Sequence, residues 1–270
     1  MIQALRHYLL AVQFFTRIPV TGRLADWVGY SPEMLRASTA HFPGVGWLVG
    51  GLSAALLAAL LHLLPPLPAS AWVAALGCTV FSVLLTGAFH EDGLADLADG
   101  LGGSHDRERA LDIMKDSRIG SFGAIALVLG LLSKLALLAL LAQIDPLLAV
   151  SGCWLAHVVS RTAPLFIIRT LPHVGATPRS KSKPLADRIG LASLLAGLLW
   201  CAAALALAGW FGPVPLWLAG VAGAAAGLWW MRRLLARRLQ GFTGDGLGAT
   251  QQVCEVMFLL GVALASGWPA

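Results

Sequence analysis

FPGVGWLVGGLSAALLAALLHLLPPLP, residues 42–68, decides what kind of protein this is. Residues 42–64 carry no Asp, Glu, Lys or Arg, and a bilayer is crossed by about 20 apolar residues in a helix. The run stops at LPPLP (64–68), where proline cannot continue a helix, and a second apolar run starts at once. Working outward from this hairpin, the apolar runs predict seven spans, at roughly 42–64, 69–90, 121–142, 147–171, 189–209, 214–231 and 247–268. The whole chain agrees: of its 270 residues 57% are hydrophobic and only 12% charged, with a mean hydropathy of +0.75. So little polar surface excludes a water-soluble globule. The fold class expected is all-α, a single polytopic membrane bundle over residues 1–270 with about seven transmembrane helices.

The breaks between spans orient it. LPPLP (64–68), QIDP (143–146) and WFGP (210–213) contain no Lys or Arg. The other connections hold the cations: Arg6, Arg17, Arg23 and Arg36 before the first span, and Arg107, Arg109, Lys115 and Arg118 after the second. Arg179, Lys181, Lys183 and Arg188 follow the fourth, and Arg232, Arg233, Arg237 and Arg238 the sixth. Cationic loops stay in the cytoplasm, so the N-terminus is expected inside and the C-terminus outside. The formal charge of +5 is thus spread over loops of one side, which reads as membrane orientation and not as a nucleic-acid surface. MIQALRHYLLAVQFFTRIPV, interrupted by Arg6, His7, Gln13 and Arg17, reads as a helix at the membrane interface and not as a removable signal peptide. Cys78, Cys153, Cys201 and Cys254 lie in apolar runs without zinc-ligand spacing and are expected to pack the core.

Eight of the fourteen acids, Glu91 to Asp116, fall in one cytoplasmic loop between spans two and three. It opens with HEDGLADLADG (90–100). If the second span continues as a helix through residue 99, Asp92, Asp96 and Asp99 stand at i, i+4 and i+7 and share one face. Carboxylates that close raise one another's pKa unless a cation sits among them. Short hard-oxygen side chains suit magnesium, manganese or calcium. Asp112 and Asp116 form a second i, i+4 pair in RALDIMKDSRIG, so two pairs facing each other would hold one or two divalent ions. Basic residues beside such ions, here Arg107, Arg109, Lys115 and Arg118, match a pyrophosphate substrate. A merely solvated mixed-charge helix is the plain reading of HDRERALDIMKDSR, and a proton or ion pathway is the alternative for acids near a membrane.

Arg161, in SRTAP, sits some ten residues inside span four, where a guanidinium needs a phosphate, a carboxylate or a cavity. Lys134, in LLSKLALL, is expected to snorkel or pair. In GFTGDGLGATQQVCEV, Asp245 follows a glycine-rich turn able to cradle phosphate, and Glu255 lies ten residues deeper. His41, His90, His105 and His173 lie near the cytoplasmic face as acid/base candidates.

The motifs FFTRIP (14–19), HFPGVGWLVG (41–50), FHEDGLADLADG (89–100), RERALDIMKDSRIGSFG (107–123), SRTAP (160–164) and TGDGLGATQQ (243–252), in that order, resemble the cobalamin synthase (adenosylcobinamide-GDP ribazoletransferase) family. The resemblance implies a magnesium-dependent transferase of the inner membrane. It would join α-ribazole, or its 5′-phosphate, to adenosylcobinamide-GDP with release of GMP. On that resemblance Asp92, Asp96, Asp99, Asp112 and Asp116 hold magnesium, and Asp116 or His90 takes the proton. Glu91, Lys115, Ser117, Arg118, Arg161 and Asp245 bind substrate. A homo-oligomer is among the states open to it. The pattern Asp96-x-x-Asp99-Gly, then Asp112-x-x-x-Asp116, also resembles a variant of the CDP-alcohol phosphotransferase motif, with Leu-Gly-Gly after Asp-Gly where that motif goes on to Ala-Arg. A phospholipid synthase is therefore the second reading, and a cation or proton transporter the third.

Overall fold

The computed structural model describes residues 2–174 and 189–267, so the basic stretch Arg179, Lys181, Lys183 and Arg188 lies outside the described residues. The order is α1 (Ile2–Phe15), α2 (Gly22–Val28), α3 (Pro32–Ser38) and a 3-10 turn (Thr39–His41) that runs straight into α4 (Phe42–Leu63). Then come α5 (Pro68–Thr86), α6 (Phe89–Gly103), α7 (Arg107–Ile113), α8 (Ser121–Ile144), α9 (Pro146–Thr170), α10 (Leu191–Phe211), α11 (Val214–Arg238) and α12 (Gly244–Ser266). Among the described residues there is no strand, only one bridge between His173 and Phe242. The proline breaks end one helix and start the next: Pro68 and Pro146 open α5 and α9, where a missing N–H costs nothing. The Asp145 carboxylate caps α9 by accepting from the Leu147 N–H at 2.9 Å.

Six stretches are long and apolar enough to cross a membrane: residues 32–63, α5, α8, α10, α11 and α12. The seventh expected span, α9, has 25 residues, about 37 Å of helix at 1.5 Å per residue. It is diluted by His157, Ser160, Arg161 and Thr162, and these are buried. The dilution has a structural reason. Helix α9 is the hub against which α4, α8, α10, α11 and α12 pack, so its polar groups face other helices rather than lipid. The glycines expected to bring spans together do so: a Cβ at Gly223 would stand 2.2 Å from the Met257 carbonyl oxygen, and one at Gly261 2.3 Å from that of Ala219. All four cysteines are free and buried.

Two expectations need correction. The second span does not run through residue 99. Helix α5 stops at Thr86, and Gly87 and Ala88 both take left-handed conformations (φ 65° and 58°) before α6 begins afresh at Phe89. A Cβ on Gly87 would strike the Arg17 guanidinium at 2.2 Å, so the FFTRIP arginine lies against this break. In addition, α1 does more than float at an interface. Its first residues are exposed, but Leu10, Ala11, Val12 and Phe15 are buried, and Phe15 packs edge-on against Phe42 and Phe89.

Because α4–α5, α8–α9 and α10–α11 are antiparallel hairpins, one end of the bundle holds the three proline turns. The other holds α6, α7 and the starts of α8 and α12. A cavity of about 960 Å³ at the proline-turn end is lined by Leu147, Leu148, Phe211, Leu216 and Trp217, with Asp145 its one carboxylate. The acids gather at the opposite end.

Candidate functional site

Helix α6 is placed by glycine contacts with α12. A Cβ on Gly93 would come within 2.8 Å of the Asp245 carbonyl oxygen, and one on Gly248 within 3.3 Å of the His90 Cα. Helix α12 starts where it does because the Thr243 hydroxyl accepts from the Gly246 N–H at 3.1 Å. GDGLG is therefore the first turn of a helix pressed on α6, and not a free phosphate-cradling turn. At its far end α6 is clamped to α11. Arg238 donates to the Leu101 and Ser104 carbonyls (3.0 and 2.6 Å), and Arg107 donates to the Leu239 carbonyl (2.7 Å).

This packing crowds carboxylates. Asp92 is exposed, Asp96 half-buried and Asp99 buried along α6, and the α12 contact adds Asp245. Burial, then the charges of Asp245, Asp92 and Asp99, push the Asp96 carboxyl up to about 7. Asp99 turns inward and holds the start of α8: its two oxygens accept from the Gly120 and Gly123 N–H groups at 2.7 and 2.8 Å. An aspartate there satisfies two donors that the helix itself cannot. Asp99→Asn keeps only one acceptor oxygen, so we expect a stability loss of about 1–2 kcal/mol, read as a lower Tm of the purified protein whether or not activity also falls.

Asp112 and Asp116 stand apart from this group. Asp112 pairs with Lys115 at 3.2 Å. Asp116 is clasped by Arg118, Nε to Oδ1 at 3.0 Å and a terminal nitrogen to Oδ2 at 2.6 Å, which holds its carboxyl down at about 2. Neither is among the charges that press on Asp96. Lys115, Ser117 and Arg118 are exposed beside them. The structure thus brings Asp92, Asp96, Asp99 and Asp245 together and leaves the second pair in local ion pairs. Among the described residues no three His, Cys, Asp or Glu side chains already stand as a metal-ligand set. The chemistry of the crowd still fits a hard divalent cation: oxygen donors only, mutually repelling, with no arginine or lysine among the described residues bonded to Asp96, Asp92 or Asp245.

His90 is buried with its ring near those of Phe15 and Phe89 (centroids 6.3 and 5.5 Å). Burial, reinforced by the Arg161 charge, holds its pKa well below the usual histidine range, so the ring is neutral at pH 7. Arg161 is buried too and donates to the Nδ1 and the carbonyl of His157 (2.9 and 3.1 Å). Sequence reasoning gave Lys134 only a minor role and passed over two glutamines. Lys134 forms an ion pair with Glu255 at 2.5 Å, both buried, and donates to the Ser82 hydroxyl. Gln251 and Gln252 are buried beside them, and Gln252 donates to the Glu91 carboxylate at 3.0 Å. The signal was present: QQxxE in an apolar helix places three polar groups within one turn of each other.

Comparison with known proteins bears on the same residues. The family model for cobalamin-5-phosphate synthase matches residues 7–263. The chain is 58% identical to the adenosylcobinamide-GDP ribazoletransferase of Albidiferax ferrireducens, covering 98% of this chain and 99% of that protein. It is 56% identical to that of Polaromonas naphthalenivorans (98% and 100% covered) and 42% identical to that of Vibrio cholerae (94% and 91%). No solved structure matches. With the match running through α6, α7 and α12 alike, this chain belongs to the cobalamin-5-phosphate synthase family.

Proposed function

We propose that the protein transfers the cobinamide phosphoryl group of adenosylcobinamide-GDP to α-ribazole, or to its 5′-phosphate. A ribose hydroxyl attacks the phosphorus nearer cobinamide, the bond to the GMP phosphate breaks, and adenosylcobalamin or its 5′-phosphate forms. The observation that carries this reading is the carboxylate crowd where α6 crosses α12, at the end of the bundle that also bears Lys115, Arg118 and the basic end of α11. Positioning and charge neutralisation supply most of the catalysis in such transfers. Asp92, Asp96 and Asp245, beside Asp99, are the residues that would hold magnesium, which when bound neutralises charge on the pyrophosphate and on the leaving GMP. Lys115, Ser117 and Arg118 bind phosphate oxygens at the mouth, while Arg161 and Glu91 act from beneath it. Asp116, committed to Arg118, and His90, buried with its pKa held well below the usual histidine range, are the two candidates to accept the proton. By the cationic-loop rule the acidic end faces the cytoplasm, seven helices span the inner membrane and the N-terminus is inside.

The test is GMP release by purified protein in liposomes given adenosylcobinamide-GDP, α-ribazole and magnesium, with a chelator as control. Magnesium-dependent GMP and adenosylcobalamin are the expected products. CMP release from a CDP-alcohol instead would move the assignment to a phospholipid synthase, and ion flux without either product to a transporter.

A further inference from the structure

Beneath the acids lies a chain of polar groups that ends on Glu91 and whose other members the reaction just described does not use. It begins at the Lys134–Glu255 ion pair between α8 and α12. Glu255 Oε2 accepts from the Gln251 amide nitrogen, which also donates to the Ser160 hydroxyl at 2.9 Å. The Gln251 oxygen accepts from the Gln252 amide nitrogen at 3.0 Å, and that nitrogen also donates to Glu91 Oε1 at 3.0 Å. Every member is nine-tenths or more buried.

The chain has a direction, and chemistry fixes it. A carboxylate paired with an ammonium offers only acceptors, so Gln251 must turn its NH2 toward Glu255 and its oxygen toward Gln252. Gln252 must then answer with its NH2, whose second hydrogen goes to Glu91. Flipping Gln252 would set oxygen against oxygen twice, and flipping Gln251 would set its oxygen against Glu255 and its nitrogen against that of Gln252, each a costly arrangement in a buried network. One ion pair at mid-membrane thereby dictates which atom Glu91 meets. Glu91 precedes Asp92 on the helix that carries Asp96, and its other oxygen, Oε2, has no hydrogen-bond partner among the described residues. The glycine contacts with α12 set how closely α6 lies on its neighbour, and the Arg238 and Asp99 bonds hold its second half. Among the described residues, Gln252 makes the side-chain hydrogen bond to its first turn.

We propose that Gln252 is a positioning residue for phosphoryl transfer, oriented by the Lys134–Glu255 pair through Gln251, and that it acts by fixing the rotational setting of α6 through Glu91. The inference rests on the proposed transferase reading. A site built on one helix is sensitive to small displacements, a 1 Å error costing on the order of 100-fold in rate.

The test uses the full chain in liposomes with the GMP-release assay. Gln252→Met keeps the volume and removes both donors, and kcat is expected to fall roughly 10- to 100-fold, with KM for adenosylcobinamide-GDP within about twofold and Tm lower by roughly 5 °C, because Glu91 and the Gln251 oxygen lose their donor. In a Lys134→Met/Glu255→Met background, where the orienting charge is gone, kcat is expected to be similarly low, and adding Gln252→Met should lower it little further. A second glutamine substitution, Gln252→His, retains one donor and is expected to recover part of kcat. Wild-type kcat in Gln252→Met overturns the proposal, as does a loss that multiplies fully with that of the charge-pair variant. Failure of the wild type itself to release GMP would instead overturn the transferase reading.

Discussion

Asp96→Asn is expected to lower GMP release about a thousandfold or more, the scale of losing a central charge-stabilising contact, while the protein accumulates and folds normally. The two halves of that expectation have one cause. Asp96 is pushed up to about 7 by burial and by Asp245, Asp92 and Asp99. A carboxyl raised above its ordinary value of about 3.9 favours folding when protonated, so its contribution is complete below the ordinary value and is lost as pH rises through about 7. At pH 8 without divalent cation the wild-type side chain is an ionised liability that asparagine removes. Tm of Asp96→Asn at pH 8 should therefore equal or exceed that of the wild type, and added magnesium should raise the wild-type Tm but not the variant's. A variant that is both unstable at pH 8 and inactive would show that Asp96 is a structural residue, and near-normal turnover would remove it from the metal site.

The second large effect lies far from the mouth. Lys134→Met alone strands the Glu255 carboxylate inside the bundle, and breaking a buried pair in this way costs about 3–5 kcal/mol. We expect a Tm lower by on the order of 10 °C and a poor yield of monodisperse protein. Lys134→Met/Glu255→Met replaces both charges by packed apolar side chains and is expected to recover most of that stability, since such replacements are often neutral. Thermal unfolding of the three proteins in one detergent decides the matter. If the double variant is no better than the single, the energetic cost does not arise from the unpaired charge.

These two residues show how far the sequence could be read. The hairpin spans were legible because crossing a bilayer sets a length and proline marks its end. Even α9, which is not among the six stretches apolar enough to cross a membrane, was legible as a long helix from its apolar run. The grouping of Asp92 with Asp96 and Asp99 followed from helical spacing alone. The left-handed break at Gly87 and Ala88 was hidden, because LLTGAFH has the composition of any span end. Asp99 as the holder of α8 was hidden as well, since its donors lie 21 and 24 residues away in sequence. The facing of the two acid pairs was a spacing argument across a turn, where spacing has no authority. Lys115 and Arg118, three and two residues from their acids, hold the second pair locally instead.

The crossing of α6 and α12 also sets when the site can exist. Asp245 and Gly248 lie near the end of the chain, some 150 residues after Asp96, and a ribosome adding roughly 5–20 residues per second delivers α6 long before its partner. Until α12 is in place, Lys134 has no Glu255 and Glu91 has no Gln252. Both are supplied by the insertion of one helix, so a chain without α12 is expected to lose catalysis and a charge partner together.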